Sequence, residues 1–242
     1  MASVVISQPM YFPWVGMLEQ MRLADHFISY SGVGFSKGSF TNRVQVKTAN
    51  GVHWLTVPLR DFPVGCPIRE VQIDERKSWR RKHRATLAQA YAKAPFVTEM
   101  LEIVDQVFEE FPGDRIGDLS MGSMRAVHGY FNFRNPGAFH ADADFLVKGS
   151  PSERVLGLVL ALGGTRYITG HGARNYLDHQ IFVDAGVSVE YMDYEKRRYP
   201  QLHGEFTPYV SSLDLIANTG KGGIEYIKSS TVPWRKFCNE SN

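Results

Sequence analysis

Apolar and polar positions alternate between two periods along this chain, and the first thirty residues already hold both. A β-branched run, Val4–Ser7, stops at Gln8-Pro9, and a loop of aromatics and prolines follows, Tyr11-Phe12-Pro13-Trp14. Gly16 opens an amphipathic segment, Val15–Ala24, and Asp25 closes it before a second apolar run, Phe27–Tyr30. Runs of this length read as buried parallel strands around a helix. In parallel α/β sheets ligands bind beyond the carboxyl ends of the strands, so the loop after Ser7 is the first candidate binding segment.

Farther on, Ser31–Gly38 reads as a glycine-rich mobile loop. Thr41–Thr48 and Val52–Pro58 alternate around Asn50-Gly51, the pattern of a β-hairpin. Arg69–Ile73 reads as a short strand. From Trp79 the period becomes helical up to Pro95, with further helices expected over Val97–Glu110 and Arg115–Tyr130. The 132–150 stretch reads as a connection with a short strand. Ser152 is expected to start a helix over Val155–Leu162, stopped by Gly163-Gly164. Thr165–Thr169 and Val187–Tyr191 are strands, Asn175–Leu177 a helix after a Gly170–Arg174 turn, and Leu213–Ala217 a short helix. This order predicts a three-layer, Rossmann-like α/β fold, one domain over residues 1–242 with a parallel sheet, a β-hairpin and a helical insertion at about 78–131.

Composition narrows the function classes. Among 242 residues the net charge is only +2, which implies no general affinity for polyanions, and nucleic acid is not an expected partner. Two cysteines make no disulfide framework, and no apolar run is long enough to span a membrane. Met1-Ala2-Ser3 leads straight into a buried-strand pattern rather than a signal peptide, so a cytoplasmic location is expected. The His and Cys spacing fits no zinc pattern; a P-loop and a G-x-S-x-G elbow are absent.

Several side chains carry candidate chemistry. Arg43 and Lys47 share one face of the first hairpin strand, Asn42 faces the other way and Lys37 precedes it; two cations on one face suit a phosphate or carboxylate. His83, within Arg80-Arg81-Lys82-His83-Arg84, is the foremost acid/base candidate among eight histidines, with its pKa expected to fall beside positive neighbours. Gly170-His171-Gly172 permits close backbone approach to a ligand, with Arg174 and Tyr176 as a second wall. Asp214 reads either as part of a capping box begun by Ser211 or as a carboxylate that orients a base, with Gln201 upstream as a hydrogen-bonding group. One pocket is expected to unite Gln8, Trp14, Asn42, Arg43 and His83.

A resemblance adds to this. Gln8-Pro9-x-Tyr11-Phe12-Pro13-Trp14-x-Gly16, Asn42-Arg43, Lys47-Thr48, Trp54–Pro58, Lys82-His83, Tyr91-x-x-Ala94-Pro95, Tyr199-Pro200-Gln201, Asp214-Leu215 and Asn218-x-Gly220 stand in the order found in the WbqC-like family. The resemblance implies a bacterial protein associated with O-antigen and other surface-polysaccharide biosynthesis. The segment Tyr30–Phe35 lacks an acidic residue and a glutamine common in that family. The N-terminal loop also resembles the HxGH loop of the nucleotidyltransferase-like fold, with Trp14 and Met17 where its histidines would stand. No cofactor is expected; a thioester, coenzyme A or carrier-bound acyl group is the candidate donor, and ATP is less favoured. The expectation is an acyl- or aminoacyl-transfer enzyme acting on an amine substrate such as a nucleotide-linked amino sugar. His83 and Asp214 would be catalytic; Gln8, Tyr11, Trp14, Lys37, Asn42, Arg43, Lys47, Gly170, Arg174, Tyr176 and Gln201 would bind substrate. An acyl carrier protein is a candidate partner. A non-catalytic ligand- or carrier-protein-binding module of the same pathway and a divergent ATP-using nucleotidyltransferase or ligase are the alternatives.

Overall fold

A computed structural model describes residues 2–134 and 137–239; the part of the predicted 132–150 connection at Asn135 and Pro136 lies outside them. Six strands form one sheet: β1 (Ala2–Ser7), β2 (His26–Ser29), β5 (Ala138–Ala141), β6 (Gly164–Thr169), β7 (Ser188–Asp193) and β8 (Ser230–Pro233). Between β2 and β5 the chain forms a separate antiparallel hairpin, β3 (Arg43–Thr48) and β4 (Gly51–Thr56). The spatial order of the sheet is β5-β2-β1-β6-β7-β8, parallel except for β8. Counted along the chain, the sheet strands lie 3-2-1-4-5-6, the doubly wound Rossmann order.

Period-2 alternation makes the three layers. On β1, Val5 faces one core with Phe27, Ile168 and Met192, while Val4 and Ile6 face another with Ile28, Tyr167 and Tyr191. The first core is closed by α1 (Val15–Leu23), α2 (Trp79–Ala90), α3 (Val97–Glu110), α4 (Ile116–Tyr130), the hairpin and α7 (Ser212–Thr219). Against the second pack α5 (Pro151–Ala161), α6 (His179–Asp184) and the C-terminal α9 (Trp234–Asn239), which follows the short α8 (Ile224–Ile227). The predicted helical insertion corresponds to α2–α4, whose apolar faces join the same core as β1 rather than forming one of their own.

Some elements differ from expectation. Arg69–Ile73 is not a strand: Ile68–Glu70 is a 3₁₀ turn, and Gln72 and Ile73 form only isolated bridges with Arg115 and Leu59. The glycine-rich segment after Tyr30 is pinned, because Arg69, Ile68 and Phe35 donate their amides to Ser31, Val33 and Cys66 carbonyls at 3.1, 3.0 and 2.8 Å. Asp142 completes the tether, accepting from both the amide and the hydroxyl of Ser31 and from the Gly32 amide. α5 starts earlier than expected: Ser150 is its cap, in a capping box with Glu153. Ser152 instead bonds the Tyr176 carbonyl and the Asp178 amide. Asn175–Leu177 is not helical; His171–Asn175 is a 3₁₀ turn, and the helix comes later as α6.

Candidate active site at the strand switch point

The chain leaves β1 for α1 and β2 on one side of the sheet, and β6 lies on the other. Their carboxyl ends therefore diverge, and a crevice opens between them. It holds about 620 Å³, within the range of small-molecule sites. Gln8 and Trp14 from the first loop, Gln20 from α1, Tyr30 after β2, Thr169 at the end of β6, Gly170 and Gly172 after it, Tyr176, Tyr194 after β7 and Arg154 from α5 line it.

The N-terminal loop is held rigidly. Phe12 is fully buried with φ of 43°, a conformation disfavoured for a bulky residue. Its amide donates to Ser123 Oγ at 2.8 Å, and its carbonyl accepts from Ser211 Oγ at 2.9 Å. Ser212 donates its amide to Pro13, and Trp14 bridges to Ser211. These bonds from α4 and the start of α7 over-determine the loop, the condition under which such strain persists. They also fix Trp14, whose indole lies 4.9 Å from the Tyr194 ring and 5.8 Å from Tyr209. The indole covers Gly16, where a Cβ would come within 2.2 Å of it.

The opposite wall is backbone. Gly170 runs past the Tyr194 hydroxyl and the Gln20 amide, which hydrogen-bond to each other, and a Cβ at Gly170 would stand 3.3 Å and 3.4 Å from them. Burial pushes the Tyr194 phenol up to about 12, so it stays protonated at neutral pH. His171 turns away and bonds the Met192 carbonyl through Nε2 at 2.7 Å, fixing the turn. Tyr176 is about half exposed at the mouth (53%) and offers a ring face to a ligand. Arg154 is the one charged residue in the lining.

Of the residues singled out by sequence, Gln8, Trp14, Gly170 and Tyr176 meet in this crevice. The others lie elsewhere, and the expected single pocket does not form. Tyr11 and His83 form a buried pair, phenol oxygen to Nδ1 at 3.1 Å, with the Trp79 ring 5.2 Å from the imidazole. Burial, not the neighbouring cations, lowers the His83 pKa to about 4. Asn42 is buried and donates to the Val57 carbonyl. Arg43 stacks at 4.0 Å on Trp54 of its own hairpin, and Lys37 is exposed on the loop before it. Lys47 is buried; its ammonium donates to Gln201 Oε1 and to the Gly204 and Glu205 carbonyls. Asp214 accepts from the phenols of Tyr91 and Tyr199, both at 2.9 Å, and Gln201 donates to Tyr199. Ser211 does cap α7, but the Asp214 carboxylate serves those tyrosines instead of closing a capping box. Arg174 donates to the Cys238 carbonyl on α9.

Sequence reasoning passed over Gln20, Tyr30, Arg154, Thr169 and Tyr194. Gln20 follows Gly16 by one helical turn, and Tyr194 directly follows a strand; both positions carried a signal that the strand-end rule converts into a site. Among the described residues no three His, Cys, Asp or Glu side chains are grouped to hold a metal, and no helix is long and apolar enough to cross a membrane.

A model of the WbqC-like protein family matches residues 8–226, a span that contains the loop, the hairpin, the Lys47–Asp214 cluster and the crevice. The chain belongs to the WbqC-like protein family. This WbqC-like protein is also similar to the uncharacterized protein Rv1507c of Mycobacterium tuberculosis, 30% identical over 230 residues, covering 94% of this chain and 98% of that one. No solved structure matches it. Within the matched span, Gln8 and Trp14 of the first loop line the crevice, while Lys47 and Asp214 are polar ties that hold the surrounding loops.

Proposed function

We propose that this WbqC-like protein binds a nucleotide-linked amino sugar in the switch-point crevice and modifies its amine by acyl or aminoacyl transfer, in surface-polysaccharide or related biosynthesis. The crevice carries this reading. It joins ring faces of Trp14, Tyr30 and Tyr176 to the amides of Gln8 and Gln20 and to one cation, Arg154. Aromatic faces suit a base or sugar ring, amides suit its hydroxyls, and a guanidinium suits a phosphate. Tetrahedral oxyanions of amide formation need hydrogen-bond donors, and the backbone of the Gly170–Gly172 turn is the proposed source. ATP-dependent adenylyl transfer of the HxGH type has less support, since Trp14 and Met17 offer no imidazole to a phosphate. The proposed acyl donor is a coenzyme A or carrier-protein thioester.

A second reading, a ligand-binding module without catalysis, draws on the crevice lining: it includes no histidine and no carboxylate. Under the transfer reading the amine proton then passes to water or to the leaving thiolate. Thermal shift with uridine diphosphate amino sugars, coenzyme A and ATP tests binding, and mass spectrometry of the sugar after incubation with acyl thioesters tests transfer. A raised melting temperature with a sugar product heavier by one acyl group is expected. Stabilisation without product from any donor would favour the binding module; no stabilisation by any nucleotide-linked sugar would overturn both.

A further inference from the structure

Beside the crevice lies a second cleft of about 600 Å³, and the two share Tyr30, Val33 and Arg154 as a common wall. The lining of the second cleft differs in kind. It is charged, with Arg69, Arg154 and Asp142. The Asp142 carboxylate is already engaged by three donors from Ser31 and Gly32. Arg69 approaches a carboxylate only at 4.0 Å, that of exposed Glu70, and Arg154 makes no ion pair among the described residues. The cations of the cleft are therefore two guanidinium groups without a close ion pair, from a 3₁₀ turn and from the first turn of α5. Guanidinium forks match phosphate oxygens in pairs.

The geometry points to a diphosphate subsite: Arg69 and Arg154 hold the diphosphate of a ligand whose ring occupies the neighbouring crevice. This rests on the reading of the crevice as the ring site. Arg154 stands at the junction, where the link between ring and diphosphate must pass. The pinned segment Ser31–Gly34 supplies Val33 to both linings and Gly32 and Gly34 to the second, and its fixed backbone keeps both sites in register. A nucleotide-linked sugar and coenzyme A both carry such a diphosphate, and the subsite fits the shared group.

Calorimetry on the full chain tests this with three probes: inorganic pyrophosphate, uridine diphosphate glucosamine and coenzyme A. Pyrophosphate is expected to bind, more weakly as salt is raised. R69Q/R154Q should weaken it by roughly tenfold or more, the loss of two charge-assisted contacts. Both side chains are exposed, so the fold should survive; R154K, which keeps the charge without the fork, should lose part of the affinity. Of the two larger probes, the one weakened by the same factor in the double variant is the source of the diphosphate. Pyrophosphate that fails to bind, or binds wild type and double variant equally, would overturn the subsite even if the sugar nucleotide binds. Pyrophosphate binding lost in the double variant, with no binding of a nucleotide-linked sugar, would keep the subsite and overturn the sugar-nucleotide reading.

Discussion

The phenol of Tyr11 meets Nδ1 of His83 at 3.1 Å inside the core, and each is walled off from water by the other and by Trp79. This pair joins the first loop to α2. It ties the segment that carries Trp14 to the helical layer without either residue facing the crevice.

A pH dependence follows from the pair. The folded state holds the His83 pKa at about 4, below its ordinary value of 6.5, because burial disfavours the imidazolium. The unfolded chain therefore binds more protons between these limits, and folding stability rises with pH across that window. Acidification from 6.5 to 4 should cost roughly 3 kcal/mol through this residue. Urea unfolding of wild type and His83→Asn as a function of pH checks it. The variant should be less stable at pH 7, yet flatter between pH 4 and 6.5 by the His83 share. An unchanged slope would place the titration elsewhere.

Gly16→Ala should disturb binding more than stability. Alanine gains roughly 0.5–1 kcal/mol as a helix residue over glycine. Its methyl group displaces the Trp14 indole from its place beside Tyr194 and Tyr209, losing two ring contacts of about 0.5–1.5 kcal/mol each. The melting temperature should move by only a few degrees. Sugar-nucleotide affinity should fall by roughly tenfold; full affinity would show that Trp14 does not contact the ligand.

Lys47 and Asp214 should behave as structural residues. Asp214→Asn places an amide where two phenols donate, and a mismatched buried pair costs about 1–3 kcal/mol. Lys47→Met leaves the Gly204 and Glu205 carbonyls and Gln201 without their donor, so amide exchange in the 201–207 segment should accelerate. Each variant that still folds should bind a sugar nucleotide as wild type does. A loss of affinity in a fully folded Asp214→Asn protein would return that carboxylate to the site.

Tyr176→Ala offers the cleanest separation of binding from folding. The side chain is about half exposed, so its removal should shift stability by less than about 1 kcal/mol. A ring stacked on it would lose about 1–3 kcal/mol of binding. Equal affinity in calorimetry would remove Tyr176 from the ligand's path.

The strands, the hairpin and the long helices were legible because each rests on local period and turn chemistry: Val4–Ser7, Asn50-Gly51 and Val97–Glu110 need no distant partner to be read. The site was legible only in part. Gln8, Trp14, Gly170 and Tyr176 follow from the rule that loops at strand ends bind, which needs only strand boundaries. His83, Lys47, Asp214 and Arg43 looked chemical because they are polar and match a family signature. Their partners, Tyr11, Gln201, Tyr91 and Trp54, stand on other strands, helices and loops, so a linear reading had no means of seeing His83, Lys47 and Asp214 hydrogen-bonded, or Arg43 stacked on Trp54. The same blindness hid Arg154, which reads as an ordinary surface residue of α5 until β6 and the Tyr30 loop are set beside it.

The strand that frames the crevice is completed late. β1 pairs on one side with β2, Val4 opposite His26, and on the other with β6, Val4 opposite Tyr167. The first pairing closes a short loop of chain; the second spans more than 150 residues, from Val4 to Tyr167, and long-range pairings of this kind are slow. The Tyr11–His83 pair and the helices α2–α4 around it can pack while β6 is still absent, since those residues lie between Met10 and Tyr130. In refolding, therefore, helical signal should recover first and ligand binding last, because the two walls of the binding crevice come from the earliest and one of the latest strands to join the sheet.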